Sequence, residues 1–430
     1  MSECACDLPY GQKKLKVVFP PTASVDVLMP RQSIALEDEV RIVFEALENP
    51  IDSPPLSKLV ATGQKVTVIT SDNTRPCPSP LLLPLLFNEL IEGGIAASDI
   101  TVVVALGLHR PLSEVELRNL VGVEVVGTVN VINHDPQDTI HVGTTSFGTP
   151  VELFRPLVEA DMRIGVGNIE FHYFAGFSGG EKSVLPGCAS EKTISANHSL
   201  MINEKSKVGA LEHNPVRQDI EEGVAMVGLD FILNAIVDGE HKVVAAVAGN
   251  AKAAHRHGCK IMAQRDGVPL QEKVDIVIVS AGGYPADLNL YQAQKALENA
   301  GGVVRDGGII IWVAECPEGF GNSTFKEWIC QRETPEHILQ CIRERFVLGG
   351  HKAAAIAAVS MRAEIFLVSA FGVGLPKMCG VVGFENVETA LEVALERVKT
   401  NEPTIIVMPN GGSTFPMPEG ALEAIQESIF

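Results

Sequence analysis

The chain has 430 residues, 46% apolar and 20% charged, the balance of an ordinary globular protein, and at about 150 residues per domain its length predicts two or three domains. Acidic residues outnumber basic ones 53 to 34, for a net charge of −19, which excludes nucleic acid and anionic membrane as expected partners, since both carry the same sign. The first twenty residues lack the apolar core of a secretory signal, no apolar run approaches the ~18 residues needed to cross a bilayer, and nine scattered cysteines form no disulfide pattern, so the cytoplasm is the expected compartment.

Along the chain, "MSECAC" reads as a disordered leader, because Cys4 and Cys6 are too close together and too far from other Cys/His pairs for zinc. Short β-branched runs then alternate with helical patterns, the signature of α/β architecture with mostly parallel sheets. The expected strands are "KVTVIT" (65–70), "ITVVVAL" (100–106), "VEVVGTVNVI" (123–132), "RIGVGNI" (163–169), "VDIVIVS" (274–280), "GGIIIWVA" (307–314), "AEIFLVSA" (363–370) and "TIIVMP" (404–409). Helices are expected in "PLLLPLLFNELIEGG", "SEVELRNLV", "NPVRQDIEEGVAMVG" and "LYQAQKALENAGGVV". Glycine, proline and charge interrupt the pattern at 263–275. Two α/β domains are therefore expected, 1–270 and a smaller one at 271–405, with an active-site cleft between them and 406–430 free to pack back onto the first.

In open α/β sheets ligands bind beyond the carboxyl ends of the strands, and here the loops at those positions are polar. Asp72 and Arg75 follow the first run, His109 the second, His172 the fourth, and Gln292 and Lys295 lie on the helix after "VDIVIVS". A lone histidine is ordinarily a hydrogen-bonding part of the framework, and His213, His255, His257, His337 and His351 are expected to be solvated or structural. The coincidence of histidines, an arginine and lysines at strand ends and helix starts points to a site.

The stretch "GFSGGEKS" (176–183) falls one residue short of the phosphate-binding pattern G-x-x-x-x-G-K-[ST]. Glu181 replaces the glycine that bends the backbone around phosphate and sets an acid beside Lys182, which argues against a nucleotide hydrolase; Ser178, Gly179 and Gly180 could still contact a phosphate through the backbone. Farther on, Thr193, Asn197 and His198 stand at helical spacing. One histidine and one lysine are too few ligands for an ordinary metal site, so any metal held here needs donors from an organic cofactor, to which a lysine amine could be joined.

The ordered set "LPYG", "SDNTRP", "GLHRPLSEVE", "NHDP", "EFHYFAGFSGGEKSVLPG", "NHSLM", "NPVRQDIEE", "SAGGYPADLNLYQAQKA", "AECPEGFG" and "GGHKA" resembles the nickel-dependent lactate racemase family over nearly the whole chain. The resemblance implies a racemase or epimerase of 2-hydroxy acids with a nickel-pincer nucleotide (pyridinium-3-thioamide-5-thiocarboxylic acid mononucleotide) joined to Lys182 as a thioamide. It implies nickel on His198, acid/base work by His109 and His172, and substrate cations Arg75 and Lys295 with Gln292 beside them. Asp72, in the loop that shapes the site, is expected to bind the cofactor, and Phe174 and Tyr291 are expected pocket walls or core aromatics. Accessory proteins that synthesise the cofactor are the implied partners. A non-enzymatic carrier of nickel or of the cofactor would keep Lys182 and His198 without needing both His109 and His172.

Overall fold

The computed structural model describes residues 5–30, 38–374 and 377–418, which divide into two α/β units. One comprises residues 38–265, and the other joins residues 5–30 to residues 266–418.

The 38–265 unit is built on a six-stranded sheet, in the spatial order Val243–Gly249, Phe231–Val237, Met162–Asn168, Val66–Ser71, Ile100–Ala105, Asn130–Asn133. Only the outer pair, Phe231–Val237 with Val243–Gly249, is antiparallel. Val66 to Thr70 are all buried, as continuous apolar runs in a parallel sheet covered on both faces require. From Val66–Ser71 the chain moves to one side to make Ile100–Ala105 and later to the other to make Met162–Asn168. The strand order thus reverses beside the carboxyl end of Val66–Ser71, the point at which such sheets open a crevice for ligands.

The second unit is built on a six-stranded sheet, all parallel: Val381–Phe384, Glu364–Val368, Val304–Val313, Val274–Ser280, Thr404–Met408 and Ser24–Val27. Its core gathers Leu8 and Val17 with Ile276, Ile278, Ile311, Phe366 and Val407.

The division of the chain departs from the expected 1–270 and 271–405. Residues 5–18 are a hairpin (Ala5–Tyr10 with Lys13–Val18) rather than a leader, because Leu8 and Val17 bury completely in the second core. Ser24–Val27 extends the same unit's sheet beside Thr404–Met408, and Phe415–Pro418 pairs with Gly267–Leu270. Residues 406–418 therefore stay with the second unit, and 419–430 lie outside the described residues. The run at 123–132 is a helix, Val123–Thr128, followed by the strand Asn130–Asn133. Val125 is its buried contact while Val123 is 68% exposed, so one-sided packing overrides β propensity.

Candidate active site

Four loops of the 38–265 unit carry the expected residues. After Val66–Ser71 the chain turns, with the Arg75 N–H donating to the Asp72 carbonyl, and Asp72, 4% exposed, accepts from the Thr74 hydroxyl at 2.6 Å. After Ile100–Ala105 a turn at Gly107 (φ 54°) presents His109, whose Nδ1 lies 2.6 Å from Asp72 Oδ2. A carboxylate only accepts, so His109 carries a proton at Nδ1, and the lone pair of the neutral ring is then at Nε2. Burial pushes the Asp72 carboxyl up, but hydrogen bonds from His109 and Thr74 outweigh it and leave it below its usual range. Asp72 is thus engaged with His109 and Thr74. Arg75, half exposed, reaches Glu170 at 3.4 Å.

The glycine-rich loop is a two-residue ladder, Phe171–His172 with Gly176–Phe177, followed by the short 3₁₀ turn Gly180–Ser183. Gly176 has φ 77°, and a Cβ there would lie 1.9 Å from the Ala210 carbonyl oxygen, so no other residue fits. Beneath the turn, His255 is fully buried, its Nε2 2.9 Å from the Ser178 carbonyl, and it is the framework residue expected. The Ser178 N–H donates to the Glu170 carbonyl, its hydroxyl to the Asn168 carbonyl, and the Gly180 N–H to Asn234 Oδ1 at 2.8 Å. These donors hold the loop together.

Glu181, the residue that breaks the phosphate-loop pattern, is buried 3.7 Å from Arg217, and Arg217 also donates to the Phe177 carbonyl. Arg217 enters on the helix Pro215–Ala225, whose start is fixed by Pro215 at the first position and by Asn214, which accepts from Val216 and Arg217 N–H and donates to the Phe174 carbonyl. The motif "NPVR" therefore braces the glycine loop from below.

Phe174, 4% exposed, is the hub. Its ring meets the His172 ring at 4.6 Å and the His198 ring at 5.0 Å, both edge to face, and the Lys182 Nζ stands 5.6 Å over it. Burial, and then the charges of Arg217 and Arg75, drive the Lys182 amine well below its ordinary value. Burial also holds His172 well below the usual histidine range, reinforced by Lys182, Arg75, His198 and Arg217. The Ala175 N–H donates to His172 Nδ1 at 3.3 Å, so the neutral ring carries its proton at Nε2. His198 lies near the end of the helix Glu191–Ser199, its Nδ1 3.1 Å from Asn197 Oδ1.

In the second unit, Asn289 caps the helix Leu290–Gly301 by accepting from the Gln292 N–H, and Gln292 and Lys295 are exposed on it. The Tyr291 ring packs edge to face on Phe325 at 5.8 Å. Lys352, 8% exposed, donates to the Tyr291 carbonyl at 2.6 Å, with its Nζ 4.3 Å over the Tyr291 ring. Burial and the nearby Lys295 push its amine down to about 8 against the opposing Glu298, whose carboxyl burial pushes up to about 7.

Sequence reasoning finds the strand-end residues and singles out Glu181, but misses its partner Arg217 and also Asp219 and Lys352. Their only signal is that they sit in the motifs "NPVRQDIEE" and "GGHKA". Among the described residues no group of three or more His, Cys, Asp or Glu could hold a metal ion. His198 and the Lys182 Nζ both meet the Phe174 ring, and one histidine beside one amine is too small a set to hold a metal unless other donors join them. No helix among the described residues is long and apolar enough to cross a membrane.

The fold is that of an α/β enzyme, and comparison with known proteins places it in the isomerase class, as a racemase. Residues 10–209 match the model of the lactate racemase N-terminal domain and residues 270–415 that of the C-terminal domain. The lactate racemase of Thermoanaerobacterium thermosaccharolyticum is 33% identical over 420 residues, 95% of this chain and 98% of that protein. That of Lactiplantibacillus plantarum is 35% identical over 342 residues, 78% and 80% of the two chains. The structure of the lactate racemase apoprotein from T. thermosaccharolyticum superposes with a TM-score of 0.84 at 33% identity, covering 96% of this chain and all of that one. A protein of Thermotoga maritima, at a TM-score of 0.58 and 19% identity, shares the fold. The chain belongs to the lactate racemase family.

Proposed function

We propose that this protein inverts C2 of lactate or a closely related 2-hydroxy acid, using a nickel-pincer nucleotide tethered to Lys182. The observation that carries this reading is the grouping around Phe174 of His172, His198 and the Lys182 amine, together with His109 oriented by Asp72. Two names support it further, since both relatives are lactate racemases.

An amine must be uncharged to form an amide-type bond, so the depressed Lys182 suits a covalent tether. His198 would hold the nickel. When bound, such a cofactor supplies a reversible acceptor for the C2 hydrogen. Arg75 pairs with the substrate carboxylate, for which a guanidinium is well shaped, and Lys295, Gln292, Phe174 and Tyr291 complete the substrate residues of this reading. His109 Nε2 takes the hydroxyl proton, and Asp72 compensates the imidazolium that forms.

His172 is neutral in the resting protein, with its proton at Nε2 where it can hydrogen-bond an oxygen; to return a proton to that oxygen it must first be charged to an imidazolium, since a neutral ring would be left as an imidazolate. To take a proton when the other enantiomer reacts, its ring must give up the Ala175 contact. The two histidines are thus unequal partners in one proton exchange. A carrier of nickel would have no use for an Asp-oriented His109, and a nucleotide hydrolase would not bury an acid at the last glycine position.

We further propose a cytoplasmic protein served by cofactor-synthesis accessory proteins. Protein from a host that makes the cofactor should show a mass increment on the Lys182 peptide, bound nickel, and interconversion of D- and L-lactate in a chiral assay. Unmodified Lys182 without nickel from such a host would sink the cofactor assignment.

A further inference from the structure

Beneath His198 runs a chain of hydrogen bonds whose direction can be read from one end to the other. It begins at Asp219, fully buried on the helix Pro215–Ala225. Its Oδ1 accepts from the Thr145 hydroxyl, and its Oδ2 accepts from the Thr149 hydroxyl at 2.9 Å and from Asn197 Nδ2 at 2.8 Å. A carboxylate has no proton to give, so Asn197 must turn its NH₂ group towards it. The same NH₂ donates to the Val216 carbonyl at 3.2 Å, which fixes the amide orientation twice over.

Asn197, itself fully buried, therefore presents its carbonyl oxygen to His198 Nδ1, 3.1 Å away. An amide oxygen only accepts, so the imidazole must hold a proton at Nδ1, and in the neutral ring its lone pair is then at Nε2. Free neutral histidine favours the opposite tautomer. The chain of acceptors overturns that preference at one position.

We propose that Asp219, acting through Asn197, is a positioning residue that selects the Nδ1–H tautomer of His198 and so makes Nε2 the metal-facing nitrogen. This rests on the reading of His198 as the nickel residue. Metal-bound histidines depend on such partners for orientation and basicity, and losing one costs about 10–100-fold in metal affinity. Asp219 and Asn197 touch neither substrate nor metal in this arrangement.

The test begins with the native full-length protein lacking cofactor, labelled with ¹⁵N at histidine. Long-range proton–nitrogen spectra at pH 8 are expected to show His198 as the Nδ1–H tautomer; an Nε2–H ring would overturn the proposal, and this measurement needs no variant. Asn197→Leu removes the acceptor at similar volume and is expected to move His198 towards Nε2–H, whereas an unchanged tautomer would count against the proposal. In protein matured with the cofactor, Asn197→Leu is expected to lose nickel at least tenfold faster on dialysis while the Lys182 peptide keeps its added mass. Equal nickel loss in the native protein and the variant would overturn the role assigned to Asn197. Failure of the underlying reading shows up separately, as a His198→Ala protein that retains nickel as the native one does.

Discussion

Glu181 Oε2 lies 3.7 Å from Nη1 of Arg217, with Arg217 fully buried and Glu181 nearly so. The acid that spoils a phosphate-loop pattern is thus the counter-ion of a cation in the floor of the glycine loop. Glu181→Gly would complete the sequence pattern yet strand the Arg217 charge. The expected loss of stability is about 3–5 kcal/mol, read from urea unfolding, with no gain of ATP or GTP hydrolysis. Turnover of either nucleotide by that variant would revive the hydrolase reading.

Asp72 holds His109 by one hydrogen bond, and a mute partner should uncouple geometry from protonation. Asp72→Asn leaves the volume unchanged but permits the wrong His109 tautomer. Lactate interconversion is expected to fall by about 10²–10⁴-fold in kcat, as for His109→Ala, with a smaller change in KM. A variant racemising at the native rate would remove Asp72 and His109 from the proton path.

Acid sensitivity has a local source in His134, which is 1% exposed, edge-on to Phe154 at 5.4 Å, and pushed down to about 4 by burial. Because the folded value lies below the ordinary 6.5, the unfolded chain takes up this proton first. Stability from His134 is present above about pH 6.5 and is lost as pH falls towards 4, at up to about 1.4 kcal/mol per pH unit. Urea midpoints measured from pH 7 to 4.5 should fall less steeply in His134→Leu than in the native protein. Parallel curves would show that His134 does not control this range.

Lys352 makes the opposite kind of case, a buried amine pushed down to about 8. The folded state releases this proton before the unfolded chain does, so stability should rise as pH climbs from about 8 towards 10.5. Lys352→Met is expected to abolish that rise and, at pH 7, to be about 1–3 kcal/mol more stable than the native protein in urea unfolding. Racemisation should nevertheless weaken, because the hydrogen bond from Lys352 to Tyr291 at the start of the helix bearing Gln292 and Lys295 is lost. An equally active, more stable variant would leave Lys352 without a role in catalysis.

The strands that sequence reveals best are those buried on both faces, such as Val66–Ser71 and Val274–Ser280, where the apolar run itself is the signal. The hairpin at 5–18 hides because one face meets the core through Leu8 and Val17 while lysines line the other. Phe231–Val237 and Val243–Gly249 are apolar runs absent from the expected strands. Likewise, Asp72, His109, His172 and Lys182 announce themselves by standing after strands in the parallel sheet. Nothing local in "NPVRQD" declares that Arg217 answers Glu181 or that Asp219 answers Asn197. Those pairings span 36 and 22 residues of sequence and are created only when the helix Pro215–Ala225 docks.

The strand Ser24–Val27 closes the edge of a sheet whose adjoining strand is Thr404–Met408. A ribosome making this chain emits the first of these almost four hundred residues before the second. In the interval it delivers every described strand of the 38–265 sheet. Synthesis order therefore lets the histidine- and lysine-bearing unit mature first, while the opening segment waits for its partner strand. Loops closed over such distances are slow to form, so the pairing of Ser24–Val27 with Thr404–Met408 is expected to be a late step in folding.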